Sequence, residues 1–423
     1  MVSFSKIFAG LLLINTVILA DDFIEAEKAY DKGDFKKSMK LFHQMCDSGN
    51  YNSCYRLGNF YNNGEGIQQN YKKAFELYKK ACDNDDASGC SALGAMYGTG
   101  AGTKENFSKA FELYKKSCDG GSTKGCYNLG FLYSHGKGVK QDYQKAIEFY
   151  TKSCNERMSW ACNNLASIYY NGKGVEQNYD KAFKLYQKAC DGMLISGCHR
   201  LAGMYYSGEG TSQNYNKALE LYYQTCRYGY PNSCFYVGDI YYNARGIKQD
   251  YVVAAQFFDA ACEGEDIRAC SYLGYMYNKG LGVEQSYFEA MKYYKRACDG
   301  GKMSECSNLG TLYRDGKGIK DYAKAHRFFK QACEGGDMSG CYNLGYVYML
   351  GQSVEVDKNR AYELFDKACE GNNSMGCYNA GMMFAAKGGI AEDFRKAEKY
   401  FKKSCDLKNN QGCAAFERAK NEP

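Results

Sequence analysis

The stretch from Cys126 to Cys154, CYNLGFLYSHGKGVKQDYQKAIEFYTKSC, holds the repeating unit of the chain. Cys126, Leu129, Gly130, Leu132 and Tyr133 recur at the spacing of one helix face, and Gly136 to Gly138 end that pattern. Asp142 then caps a second pattern in which Ala146, Phe149 and Tyr150 share a face. Two short amphipathic helices joined by a glycine-rich turn make a helical hairpin.

The same unit runs along the chain in both directions. All 22 cysteines fall into Cys-x7-Cys pairs: Cys46 with Cys54, Cys82 with Cys90, Cys118 with Cys126, Cys154 with Cys162, Cys190 with Cys198, Cys226 with Cys234, Cys262 with Cys270, Cys298 with Cys306, Cys333 with Cys341, Cys369 with Cys377 and Cys405 with Cys413. The period is 36 residues, shortened once to 35 between Cys298 and Cys333. The missing residue belongs to the loop from Gly316 to Tyr322, one shorter than Gly136 to Tyr143, so both flanking helices should be whole. Asn, Asp or Ser stands at every second-helix cap: Asn70, Asn106, Asp142, Asn178, Asn214, Asp250, Ser286, Asp321, Asp357 and Asp393. Four places after the first cysteine of each repeat comes a small residue, as in Gly58, Gly94, Gly130, Ala166 and Ala202. An alanine series through Ala74, Ala110 and Ala146 stands opposite in register. Small residues on both helices are expected to let the two backbones approach closely. A lone hairpin cannot bury its remaining apolar face, and stacking on its neighbours does so.

The expected fold is therefore all-α, a right-handed α/α superhelical solenoid of tandem hairpins with one disulfide per junction. Residues 21–53 read as an N-terminal capping hairpin, 54–412 as ten repeats and 413–423 as a capping helix. Cys54 could reach Cys46 across a short turn or Cys82 at the end of its own hairpin. The first scheme pairs every cysteine, whereas the second strands Cys46 and Cys413, which favours Cys-x7-Cys. Closing each nine-residue loop is worth about 2.5 kcal/mol in chain entropy. Neither the spacing nor the four histidines suit zinc, and no haem-attachment motif occurs, so no metal or cofactor is expected.

Lys6 followed by the apolar run Ile7 to Ala20 reads as a cleavable secretory signal over residues 1–20, too short to span a bilayer. Export to the periplasm or beyond follows, as does an oxidising compartment that keeps disulfides intact. Formal net charge is +6, and losing Lys6 lowers it by one. Lysines alternate with acids, so nothing points to nucleic acid or to a membrane surface. A monomer is expected.

The run Ala-Cys-Asp-x-Gly, Gly-Cys-x-x-Leu-Gly-x-x-Tyr, Gly-x-Gly-Val, Asn-Tyr and Lys-Ala, seen between Cys154 and Cys190 and in neighbouring repeats, resembles the tetratricopeptide-like Sel-1-like repeat. With a cysteine pair in every repeat and an export signal, the whole mature chain is similar to the Helicobacter cysteine-rich protein family. That resemblance implies a secreted or periplasmic bacterial protein that binds penicillins, hydrolyses β-lactams slowly and interacts with partner proteins. β-Lactams and peptidoglycan-related peptides are ligands implied in the same way.

The residues themselves offer little enzymatic machinery. Ser-x-x-Lys occurs at Ser3 to Lys6, inside the leader, and at Ser134 to Lys137, in a turn, while Ser-Asp-Asn and Lys-Thr-Gly are absent. His43, His135, His199 and His326 lie in different repeats without ligand spacing and read as surface or packing residues. No catalytic residue can be named, and a β-lactamase of unrecognised mechanism remains the alternative to a binding scaffold.

Counted from the first cysteine of each repeat, offsets 0, 3, 4, 6 and 7 form the buried arc of the first helix, and offsets 1, 2, 5 and 9 face away. By analogy with other solenoids this helix lines the concave face. Offset 5 varies freely, from Asn59, Ala95 and Phe131 to Tyr346 and Met382. Offset 2 is more uniform: Arg56, Asn128, Asn164, Arg200, Asn308, Asn343 and Asn379 are the candidate ligand-binding residues for a peptide or protein. Asparagine is a mediocre helix former whose amide both donates to and accepts from a peptide backbone. The same amides could instead brace the adjacent loop. Tyr127, Tyr275, Tyr342, Tyr346 and Tyr378 are the tyrosines expected at the surface, and Trp160 is expected to pack.

Overall fold

The computed structural model describes residues 21–385, 389–390 and 393–420. The leader read from residues 1–20 lies outside them. Two compact units result, one ending at Asn214 and one beginning at Tyr215. Among the described residues there are helices and turns and no strand, and no helix is long and apolar enough to cross a membrane.

The repeat from Cys126 to Cys154 shows how each hairpin forms. Its first helix, Thr123–His135, starts at Ser122, whose hydroxyl accepts from the Gly125 N–H, and stops at Gly136, which adopts a left-handed φ of 66°. Two residues on, Gly138 has φ 69°, and a Cβ there would lie 2.4 Å from the Phe107 carbonyl, so only glycine fits. The second helix, Tyr143–Asn155, is capped by Asp142. Asn70, Asn106, Asp142, Asn178, Asp250, Ser286, Asp321, Asp357 and Asp393 accept the anticipated backbone N–H. Around the shortened loop, helices Met303–Asp315 and Tyr322–Glu334 both keep 13 residues, as the single-residue deletion required.

Within a hairpin, the expectation that small residues meet small residues is corrected. A Cβ on Gly58, Gly94 or Gly130 would strike the ring of Tyr78, Tyr114 or Tyr150, at 2.5, 2.8 and 3.0 Å respectively. The glycine makes room for an aromatic ring of the second helix, while Ala74, Ala110 and Ala146 are fully buried. A cation–π contact recurs beside it: Lys73, Lys109, Lys145 and Lys181 stand 5.1–5.2 Å over Tyr61, Tyr97, Tyr133 and Tyr169.

Between hairpins, every expected Cys-x7-Cys pair is bridged. In the first unit Cys54, Cys90, Cys126, Cys162 and Cys198, each in the first turn of a first helix, bond back to Cys46, Cys82, Cys118, Cys154 and Cys190 at the end of the helix before. In the second unit Cys234, Cys270, Cys306, Cys341, Cys377 and Cys413 bond in the same way to Cys226, Cys262, Cys298, Cys333, Cys369 and Cys405. The Cα separations run from 4.3 to 4.9 Å, and no cysteine is free. These cysteines staple the frame, and none of them lines a groove.

Two further devices act at the junction. The residue before each cysteine is small on both sides of most junctions, Met45 and Glu305 being exceptions, and a Cβ on Gly89 would come within 2.5 Å of the Ala81 Cβ. A cation near the end of the second helix also reaches back one repeat. Lys80, Lys116 and Lys152 donate to the carbonyls of Cys46, Cys82 and Cys118 at 3.3, 2.8 and 3.3 Å. In the second unit, Arg296 and Lys367 do the same to Cys262 and Cys333, at 2.7 and 3.4 Å. Each accepting carbonyl belongs to a helix C-terminus whose last carbonyls have no partner in their own helix, where positive charge is favoured.

Candidate functional site

Offsets of the first helix that do not pack are the material for a site. In the first unit, Tyr55, Asn59, Asn62, Ser91, Ala92, Ala95, Thr99 and Asn128, all at outward offsets of three successive first helices, line a groove of 630 Å³. In the second unit, Arg314, Asp315, Tyr342, Asn343, Tyr346 and Leu350 line another of 440 Å³. Both volumes fall in the range of ligand-binding clefts.

The seven offset-2 residues do not form a uniform ladder. Asn128 lines the first groove, and Asn343 lines the second while accepting from Arg314 Nη1 at 2.8 Å. Arg200 is exposed. Arg56 is held by an ion pair with Glu27 and lies over the Tyr30 and Phe42 rings. Asn308 donates to Glu305 at 2.8 Å. Asn164 reaches the hydroxyls of Tyr127 and Tyr150 at 3.4 and 3.5 Å. Asn379 is buried, against Tyr342. Four asparagines, Asn164, Asn308, Asn343 and Asn379, thus touch side chains of their own or the preceding repeat, and two, Asn128 and Asn343, stand in grooves.

Groove residues also come from offsets beyond 1, 2, 5 and 9, which the cysteine-based spacing did not single out. Offset 8 falls on the same arc as offsets 1, 5 and 9, and contributes Asn62 and Arg314; offset −2 falls there too, and contributes Ser88 and Lys124. Ser91, at offset 1, is also a groove residue.

Of the tyrosines expected at the surface, Tyr275 is exposed, and Tyr127, Tyr342, Tyr346 and Tyr378 are half-buried. Burial raises the Tyr127 and Tyr342 hydroxyls above the ordinary phenol range. Trp160 corrects the expectation that it packs: it is 54% exposed, because it sits in the first turn of the helix Ser159–Asn171 at offset −2, the outward position that Ser88 and Lys124 hold in their own repeats.

The Ser-x-x-Lys pair is not assembled. The Ser134 hydroxyl is buried, donates to the Phe131 carbonyl at 2.9 Å, and touches Tyr150 Oη at 3.1 Å and His135 Nδ1 at 2.8 Å. Lys137 Nζ instead stands over the Phe107 and Phe131 rings at 4.8 and 5.9 Å. Burial raises Tyr150 to about 12, so it is a neutral hydrogen-bonding group near neutral pH and not a base. His135 stacks on Phe131, His43 pairs with Asp47 at 2.9 Å, and His326 is half-buried edge-on to Tyr348. Among the described residues no group of three His, Cys, Asp or Glu side chains could hold a metal.

Comparison with known proteins gives a consistent result. A sequence model described as the Sel1 repeat matches eleven segments: 28–50, 52–86, 87–122, 123–157, 161–192, 195–230, 231–266, 267–302, 306–337, 339–373 and 374–409. No curated protein sequence matches significantly. Among solved structures, a protective antigen of uropathogenic Escherichia coli with an SLR fold is 26% identical, with TM-score 0.80 over 95% of this chain and 88% of that one. A Sel1 repeat protein from Oxalobacter formigenes is 27% identical, with TM-score 0.51 over 58% of this chain and 99% of its own. Helicobacter pylori cysteine rich protein B is 35% identical over 30% of this chain and 92% of its own, with TM-score 0.26.

Proposed function

Since this chain belongs to the Sel1 repeat family, a disulfide-stapled helical scaffold, we propose that it binds an extended peptide or a segment of a partner protein on the face formed by its first helices. One observation carries this reading. Side chains at the outward offsets line open grooves and differ from repeat to repeat, while the residues that hold the frame recur. Tyrosine, asparagine and arginine, prominent in these grooves, give large contact area together with hydrogen bonds to a peptide backbone. Eleven bridges suit work in an oxidising compartment, periplasmic or extracellular.

Hydrolysis of β-lactams, implied by resemblance, finds no assembled Ser-x-x-Lys pair among the described residues: Ser134 is buried and Lys137 is turned onto the Phe107 ring. Any turnover of a chromogenic cephalosporin should survive Ser134→Ala unchanged.

The binding reading is tested by photo-crosslinking. Random octapeptides carrying a benzophenone are incubated with the oxidised protein, irradiated, and the labelled segments mapped by mass spectrometry. Labels should concentrate on Tyr55 to Asn62, on Ser88 to Thr99 and on Tyr342 to Leu350. Labels confined to the second helices would refute the assignment.

A further inference from the structure

The groove of the first unit owes its volume to one repeat. At the outward offsets where the next repeat carries Tyr127, Asn128, Phe131 and His135, the repeat beginning at Cys90 carries Ser91, Ala92, Ala95 and Thr99. Truncated side chains alone do not make a site, and two other features add to them. Ser91 is 6% exposed and lines the groove, yet its hydroxyl makes no hydrogen bond; its counterpart Ser271, equally buried, donates to the Ile267 carbonyl at 3.3 Å. The Ser91 hydroxyl, facing the groove, is therefore free to donate to or accept from a ligand.

Charge supplies the second feature. Among the described residues lining this groove, Lys124 is the one charged side chain, and it makes no ion pair. No carboxylate lines the groove with it. The same groove is lined by the Asn128 amide, the Ser88 hydroxyl and the Asn59 side chain, whose amide oxygen already accepts from Tyr78 at 2.7 Å and leaves the amide nitrogen to donate. The groove therefore offers donors and one uncompensated positive charge. The second-unit groove differs in this respect: its Arg314 is already paired with Asp315 at 2.8 Å, so it has no net charge to offer.

We infer that the groove at Ser91, Ala95 and Lys124 is the anchor site of the binding face, and that it receives a carboxylate-bearing residue of an extended peptide. This rests on the binding reading above and narrows it. The carboxylate pairs with Lys124, Ser91 and Asn128 hydrogen-bond the adjacent peptide group, and the flanking side chain fills the space left by Ala92 and Ala95. A carboxylate held by a lysine and neutral donors forms charge-assisted bonds, the stronger class of hydrogen bond. The carboxylate could be a chain terminus or an Asp or Glu side chain.

Fluorescence polarisation on the full oxidised protein tests this with three pools of fluorescein-labelled random octapeptides. One pool has a free C-terminus and no acidic residue, one has Asp or Glu and an amidated C-terminus, and one has neither carboxylate. One or both carboxylate pools should bind at least tenfold more tightly than the neutral pool, and which of the two does so identifies the source. Lys124→Ala should erase that difference. Ala95→Phe, which installs the residue found at this offset in the next repeat, should abolish tight binding of all pools, with thermal unfolding of both variants checked against the parent. Equal binding of the neutral pool, or an unaltered preference in Lys124→Ala, overturns the carboxylate assignment. Full-strength binding by a folded Ala95→Phe overturns the location while leaving a peptide-binding face elsewhere, and no binding by any pool overturns both readings.

Discussion

The junction rim and the groove face belong to the same helices and obey different rules. At the rim, the bridge, the small residue before the cysteine and the cation on the preceding carbonyl return in repeat after repeat, because each satisfies a neighbour that is itself a repeat. On the groove face, Ala95 stands where Phe131 and Tyr346 stand elsewhere, because that position is half-buried at the edge of the frame and tolerates side chains of different size. A repeat protein is a nearly one-dimensional array whose interfaces fix one surface and leave the other free to specialise.

The strongest way to break this contrast is to remove the rim. Full reduction of the eleven bridges should lower the midpoint of thermal unfolding, followed by circular dichroism, by on the order of 10 °C or more, since each closed loop contributes about 2.5 kcal/mol. An unchanged midpoint would mean that helix packing alone sets the stability.

Two neighbouring residues sharpen it. Gly94→Val drives side-chain atoms into the Tyr114 ring, where even a Cβ would stand at 2.8 Å, and should cost about 1–3 kcal/mol in urea unfolding. Ala95→Phe, one residue on but facing the groove, should stay within about 0.5 kcal/mol of the parent. Comparable costs at both positions would erase the distinction between frame and face.

Smaller effects follow at the asparagines. Asn128→Ala should leave stability within about 0.5 kcal/mol and weaken peptide binding by about 1 kcal/mol, the value of one hydrogen bond. Asn379→Ala, at a buried position beside Tyr342, should instead lower stability. The reverse pattern would place the ligand on the wrong asparagine.

The smallest expected effect is a pH dependence within the frame. Burial, with Lys330 and Arg360 nearby, holds His326 below the usual imidazole value, and its buried Nε2 has no hydrogen-bond partner. A folded pKa below the unfolded one leaves stability whole above the unfolded value of about 6.5 and diminishes it as pH falls through the folded value. Urea unfolding at pH 7.5 and pH 5 should show this loss, and His326→Gln should reduce it.

Much of the molecule was legible before any coordinates. The 36-residue spacing of the cysteines, the caps from Asn70 to Asp393 and the outward offsets of the first helix are local or periodic properties, fixed by helix geometry and by the chemistry of chain ends. Counting alone favoured Cys46 with Cys54 over Cys54 with Cys82, since the other scheme left two thiols over. Tertiary structure decided what lies one repeat away or across a hairpin. Gly94 faces the Tyr114 ring and not an alanine, Lys116 crosses to Cys82, Asn164 reaches Tyr127 while Asn128 does not leave the groove, and Trp160 turns outward. Such contacts depend on how far one helix is displaced against the next. A periodic sequence repeats the same letters at every junction and so contains no record of that displacement, which is set only when the side chains pack.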